Sequence, residues 1–455
     1  MSPWALRTQA APVELDAGAA PLLVLGLLAA APLVVVAFVK ALRNPIWLLA
    51  LYAAVVPFGS TLRLPVAGPF GSLSTLLGLV VLAAFAGHLA LRPAGRINTG
   101  TTPALAVLLV AVAAATLMWS IDVERTVQQT IVLASLVALY VLVALTPVSQ
   151  RDLRRFETGA LAGGTIVGLY AIYLGATGAL DSAEDQRFVA AVGGSEAGEV
   201  ADPNITAAAL LLPLAVALDR ALRPGLLGRR LGYLVLAVAL VAGVFLTGSR
   251  GGTIGALAVL LVLLARSRRT GSMPLALLVP VAAVVIAVAI APQYVVERLT
   301  ADTSSSGRTD IWAAGLRACP EHCATGSGWG TFASAHQQVL LEHPEARAER
   351  PLVEAHNLWL GTVVEGGLAA LALLVLILWA FARDLRRLDL VRRAPPLAAF
   401  AGLVVTSVFL QTLGFKFFWL VLIYGVLTLN ASVASPAETR VLQPVAVAPP
   451  RRERT

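Results

Sequence analysis

Three side chains in this sequence combine a reactive type with an unusual setting. Arg250 stands in Thr247-Gly-Ser-Arg-Gly-Gly252, between two apolar runs. A charge near membrane depth costs about 3 kcal/mol or more and usually marks function. A guanidinium there is a fork for phosphate or carboxylate, and the glycines let backbone bend and approach a ligand. The bland alternative is an arginine snorkelling to the interface. Arg308 lies in Gly307-Arg-Thr-Asp-Ile-Trp312. Arg308 and Trp312 are one helical turn apart, so they share a face and are placed to stack. A solvated arginine beside a packing tryptophan fits the same spacing. His356 lies in Glu354-Ala-His-Asn-Leu-Trp-Leu360, where a long polar segment gives way to an apolar run. A helix start offers free N–H groups to an anion. Imidazole is the side chain suited to proton transfer near neutral pH. An interfacial histidine with local partners is the competing reading.

Other polar features carry less. Glu365 is nine residues beyond His356. In an unbroken helix that is half a revolution and about 13.5 Å, so Glu365-Gly-Gly reads as a buried structural contact or a distinct polar feature. Gly326-Ser-Gly-Trp-Gly330 lacks the Gly-Lys-Ser/Thr ending of a phosphate-binding loop and reads as a tight turn presenting Trp329. His336 and His343 are expected to be solvated. Cys319 and Cys323 fit either a local disulfide or two unlinked thiols. With His322 they are too few ligands for a zinc site, and no metal is expected. No HExxH, paired CxxC or GxSxG motif is present.

Elements long enough to position these residues are apolar. Of 455 residues, 58% are hydrophobic and 13% charged, against about 45–50% and 25% in soluble domains. That excludes a soluble enzyme and a disordered chain. The apolar runs are continuous rather than alternating, which points to helices. The expected fold is all-α: a polytopic transmembrane helical bundle of about 12–13 spans. They fall near 21–39, 46–58, 73–91, 103–119, 128–146, 159–176, 205–222, 231–247, 253–265, 274–291, 357–381, 397–413 and 417–430. The first run is long for a signal peptide and lacks a basic region before it.

The connecting segments alternate in charge. One side collects 23 of 34 basic residues and only 7 of 26 acids. By the positive-inside rule that side is cytoplasmic, which puts the N-terminus outside and the C-terminus inside. The net charge of +8 is therefore a topology signal and implies no nucleic acid. The membrane bundle spans 1–431, and 432–455 reads as a disordered cytoplasmic tail. Two long segments remain outside, 177–204 and 292–355. The second is expected to be partly helical, over Asp310 to Ala318 and Thr331 to Leu341. Loops of this length are usually functional. An enzyme with an external site uses such a loop. A transporter or flippase for lipid-linked sugars is the other reading; it would bring paired charges at midplane and an internal repeat.

The ordered set resembles the O-antigen ligase and O-antigen polymerase superfamily of bacterial integral-membrane glycosyltransferases. Asp202-Pro-Asn204, Gly-Ser-Arg-Gly-Gly, Gly-Arg-x-x-x-Trp, Gly-x-Gly-x-Gly-x-Phe, His-Asn-x-x-Leu and Glu-x-Gly follow one another across about 202–367. The first 170 residues match only as generic spans. The resemblance implies a C-type glycosyltransferase fold and a bacterial cytoplasmic (inner) membrane location. It implies a glycan donor on undecaprenyl diphosphate, a glycan or lipid acceptor, and contact with membrane lipids or a polysaccharide-assembly complex. It needs neither cofactor nor metal. Arg250 and Arg308 would hold the diphosphate, His356 would assist the acceptor hydroxyl, and Asn357 and Trp312 would contact substrate.

Overall fold

The computed structural model describes residues 43–59, 72–91, 100–178, 180, 203–270, 273–300, 308–342 and 354–433. The expected span at 21–39, most of the 177–204 segment and the tail from 434 lie outside them. Each of the other twelve expected spans falls on helix. The chain is an all-α polytopic membrane protein. Among the described residues nine helices are long and apolar enough to cross a membrane, with shorter apolar helices at Ile46–Phe58 and Thr102–Met118.

In chain order the α-helices are α1 (Ile46–Val55), α2 (Leu73–Leu91), α3 (Thr102–Ala115), α4 (Val123–Ala144), α5 (Gln150–Ala176), α6 (Pro203–Ala209), α7 (Leu211–Leu222), α8 (Leu227–Leu246) and α9 (Arg250–Thr270). Then come α10 (Met273–Ile290), α11 (Pro292–Thr300), α12 (Arg308–Arg317), α13 (Cys319–His322), α14 (Phe332–Glu342), α15 (Leu358–Leu385), α16 (Leu390–Thr406) and α17 (Lys416–Val433).

Burial separates centre from periphery. The α6–α7 span and α17 have most of their surface inside the protein, whereas α2 and α10 have little. Helices that are apolar all round and largely uncovered suit a lipid surround. Small residues permit the close contacts that drive helix association in lipid. Gly159 and Gly163 of α5 lie against the Ala50 and Ala54 carbonyls of α1, where a side chain would collide. Gly255 and Gly402 do the same for α9 and α16, the most intimate pair in the bundle.

Charged side chains fix one end. Asp219 at the end of α7 is 1% exposed and pairs with Arg266 of α9 and, at 2.8 Å, with Arg223. Glu157 of α5 pairs with Arg220 and accepts from the Tyr424 hydroxyl at 3.0 Å. Arg383 near the end of α15 donates to Thr101 Oγ1 before α3 at 2.9 Å. These belong to the basic set of connections.

Expectation and structure differ at three places. The span expected at 397–413 starts earlier, at Leu390, because Asp389 caps the helix through Val391 and Arg392 N–H groups and the prolines at 395 and 396 are accommodated inside. It stops at Thr406, where Thr406 and Ser407 hydroxyls bond back to Gly402 and Leu403 carbonyls. The residues after it, 407–415, form an irregular turn. The outer segment from 292 opens with α11 rather than loop, and α17 extends to Val433, past the boundary at 431.

Helix α15 is interrupted once, at Gly367, with φ +70°. The Gly-rich turn inserts there. Ser327 N–H donates to the Val364 carbonyl at 2.8 Å, Gly328 N–H to Glu365 at 3.1 Å and Leu368 N–H to Ala324 at 3.3 Å. A Cβ on Gly367 would sit 2.7 Å from the Ala324 oxygen. Gly367→Ala is expected to destabilise the protein, with about 1–2 kcal/mol from the left-handed backbone alone. Its thermal aggregation midpoint in detergent should fall clearly; a midpoint equal to wild type would contradict this packing.

Candidate functional site

Each of the three singled-out residues stands at a helix start; hydrogen bonds link the Arg250 turn to the His356 turn through the end of α16, and α12 to the His356 turn. Arg250 opens α9 and is exposed. Gly248, with φ +70°, ends α8. Ser249 then caps α9: its hydroxyl accepts from Gly252 N–H at 3.0 Å and donates to Asn204 Oδ1 at 2.7 Å. So Asn204 braces the Arg250 turn. Gly251 and Gly252 serve packing rather than a ligand, because a Cβ there would meet Phe409 and Ala207.

His356 is the single non-glycine residue with positive φ among those described, at +43°. That conformation costs about 1 kcal/mol or more and tends to persist where function needs it. The next residue, Asn357, caps α15 by accepting from Trp359 and Leu360 N–H groups, both at 3.0 Å. Its carbonyl oxygen is thus used by the helix, and contact with a substrate would fall to Nδ2. Leu358 N–H donates to the Ser407 carbonyl at 2.9 Å. Thr406, the residue before, points its hydroxyl at the Gly251 carbonyl, 3.4 Å away. The Arg250 and His356 turns therefore share one support, the C-terminal corner of α16.

Arg308 begins the described part of α12 and is half-buried. One turn on, the Trp312 indole N–H donates to the Ala355 carbonyl at 3.1 Å, immediately before His356. Ile311 packs with Phe332, Ala335, Ala355 and Val364 under the same turn. Helix α12 is thereby docked on the His356 turn by both an apolar cluster and a directed hydrogen bond. Trp312→Phe keeps the packing and deletes the donor. We expect turnover at a site built on the His356 turn to fall by up to about tenfold, the worth of one hydrogen bond, with little change in KM. An unchanged kcat would remove Trp312 from the positioning of His356.

One support was read from the sequence as a buried contact; the others were not apparent from it. Glu365 is 3% exposed; it accepts from Gln411 Nε2 at 3.0 Å and from Phe332 N–H at 3.3 Å. It joins α15, the turn after α16 and the start of α14, as a buried structural contact. Arg125 donates through Nε to the Gly330 carbonyl at 2.7 Å, Trp119 Nε1 to Gly326 at 3.0 Å and Ser334 to Asp122 at 3.3 Å. The start of α4 thus clamps the Gly-rich turn, and Trp329 is buried in the core. The polar run Trp119-Ser-Ile-Asp122 before a helix was the available signal.

His336 is not solvated as expected; it is 1% exposed and stacks on Phe332 at 6.2 Å. Burial holds its pKa below the ordinary imidazole value, so it is neutral. The reason lies in helix period: His336 is one turn beyond Phe332 on the buried face of α14. His343 lies outside the described residues. Cys319 and Cys323 are joined by a disulfide across one turn, with Cα atoms 4.5 Å apart. No group of three or more His, Cys, Asp or Glu side chains suited to a metal occurs among the described residues.

Chemically, the assembly offers two guanidinium groups and an imidazole, each backed by a helix N-terminus with its partial positive charge. That combination suits an anionic leaving group and a proton acceptor. Residues 235–375 match the family model described as O-antigen ligase. The match covers Arg250, Arg308, Trp312, His356 and Asn357. No curated protein matches the chain.

Proposed function

Proceeding from a chain whose residues 235–375 are a segment of the O-antigen ligase superfamily, we propose that the protein is a metal-independent glycosyltransferase that moves a glycan from undecaprenyl diphosphate to an acceptor hydroxyl on the outer face of the bacterial inner membrane. The observation that carries this reading is a chain of contacts: the end of α16 supports both the Arg250 turn of α9 and the His356 turn of α15, and α12 with Arg308 docks on the His356 turn.

Arg250 and Arg308 bind the diphosphate. The C1–O bond to the carrier breaks, and the leaving diphosphate gains charge that the guanidinium forks and helix ends stabilise. Such preorganised donors are often the largest catalytic contribution. His356 takes the proton of the attacking hydroxyl as the new glycosidic bond forms. A positioned base is worth roughly 10²–10⁴-fold. The carrier bond supplies the energy, so no nucleotide is needed on that side.

Sidedness rests on two further observations. The basic connections gather at the opposite end, which the positive-inside rule makes cytoplasmic. Arg250 and Arg266 lie sixteen residues apart on α9, about 24 Å along its axis. The Cys319–Cys323 disulfide sits at the Arg250 end and fits an oxidising compartment. By this topology the C-terminus is cytoplasmic and the N-terminus external. The buried ion pairs Asp219–Arg266 and Glu157–Arg220 lie near the basic helix ends rather than at midplane. That favours an enzyme over a transporter or flippase.

Purified protein in vesicles with a polyprenyl-diphosphate-linked glycan and an acceptor should yield a covalent product. Movement of the donor across the bilayer without a new glycosidic bond would instead establish the transporter. Released single repeats joined into longer carrier-linked chains would mark a polymerase; transfer of a finished chain to another lipid would mark a ligase.

A further inference from the structure

At the basic end of the bundle, a cavity of about 450 Å³ opens between α9, α15 and α16. Its walls are apolar, with Val262, Leu385 and Leu397 among them, and its polar lining is Arg266, Arg386 and Arg393. No carboxylate lines it among the described residues. Arg266 is 3% exposed and binds Asp219 through Nη1, while its buried Nε has no hydrogen-bond partner among the described residues. The neighbouring arginines behave differently from the cavity pair. Arg387 pairs with Asp384 and Arg392 with Asp389. Arg386 and Arg393 make no ion pair among the described residues, although Asp384 stands two residues before the one and Asp389 four residues before the other.

We propose that this cavity binds an anionic phospholipid of the surrounding leaflet, with the phosphate on Arg386 and Arg393 and an acyl chain along the apolar wall. The charge is complementary: Arg386 and Arg393, without an ion pair, and Arg266, neutralised by Asp219, face a space whose volume falls within the roughly 300–1,000 Å³ of ligand sites. Apolar walls leave a free phosphate ion half its surroundings unfavourable, whereas a lipid satisfies both. Basic pockets between transmembrane helices on the cytoplasmic side take anionic headgroups by this logic. A lipid there would brace the lower ends of α9 and α16, the pair whose opposite ends hold Arg250 and Ser407. The site is independent of the glycan-transfer reading.

The test uses the full-length protein, extracted from bilayers containing equal amounts of phosphatidylglycerol and phosphatidylcholine, with retained lipid counted by native mass spectrometry. The wild type is expected to retain phosphatidylglycerol over phosphatidylcholine. Arg386→Gln with Arg393→Gln should reduce that preference roughly 30-fold, about a factor of five for each arginine. Arg392→Gln removes the same charge from the same end outside the cavity and should keep the preference. Circular dichroism and a monodisperse elution profile establish that the double variant is folded; if it is not, the single variants, each expected to lose about fivefold, carry the test. Equal retention of the two lipids by the wild type, an equal loss in Arg392→Gln, or displacement of the lipid by inorganic phosphate would overturn the assignment.

Discussion

Replacing Arg250, Arg308 or His356 by alanine is expected to reduce glycan transfer by at least about a hundredfold each, while the amount of protein in the membrane stays level. In the proposed reaction the arginines would supply charge at the departing diphosphate, where loss of one donor typically costs about 10²–10³-fold. The imidazole would supply proton transfer of about 10²–10⁴-fold. Their positions make the test clean. Arg250 is exposed, and Arg308 and His356 are half-buried, so truncation opens no core cavity. Arg250→Lys is informative beside the alanine variant. It keeps the charge and loses the bidentate fork, so activity should stay well below wild type. Product formation assayed with equal amounts of reconstituted variant reads the outcome; normal transfer by all three alanine variants would defeat the site.

The largest effect on stability is expected from Asp219→Ala. Asp219 and Arg266 are both almost fully buried, and Asp219 also holds Arg223 at 2.8 Å. Removing the carboxylate strands a guanidinium inside the bundle, which costs about 3–5 kcal/mol. Removing both partners is different. Asp219→Ala with Arg266→Met eliminates the stranded charge and should recover most of the loss, because buried pairs gain little over apolar substitutes. Denaturant unfolding in detergent measures both. A single variant as stable as wild type, or a double variant no better than the single, would show that the pair does not hold α7 to α9.

Most of the helices were legible because lipid leaves the backbone few options. A long continuous apolar run must be helical, and run length alone placed α2, α4 and α10. The charge alternation likewise anticipated which helix ends gather. The boundaries of α16 were not legible. Arg392, Arg393, Pro395 and Pro396 look like a connection by composition, yet Asp389 caps a helix that contains them. Its end depends on serine and threonine hydroxyls turning back on their own helix, a choice that tertiary contacts with Gly251 and Leu358 support.

The candidate site divides in the same way. Arg250 and His356 stood out because a charge or imidazole beside apolar runs is costly or rare, and Arg308 because it stands one helical turn from Trp312. Their supports did not. Ser407, Gln411 and Trp119 act through single hydrogen bonds across long sequence separations, which spacing cannot encode. Gly251 and Gly252 looked like room for a ligand and are instead room for Phe409 and Ala207. His336 looked solvated because its segment is polar overall, yet its helical face is not.

The most direct measurement is an experimental density map of the full-length protein in a lipid bilayer with a polyprenyl diphosphate added. The expected result is diphosphate density within about 3 Å of both the Arg250 and Arg308 guanidinium groups, with the His356 ring bordering the same space on the face away from Arg266. Diphosphate bound elsewhere, or the three side chains turned to separate surfaces, would contradict the shared site.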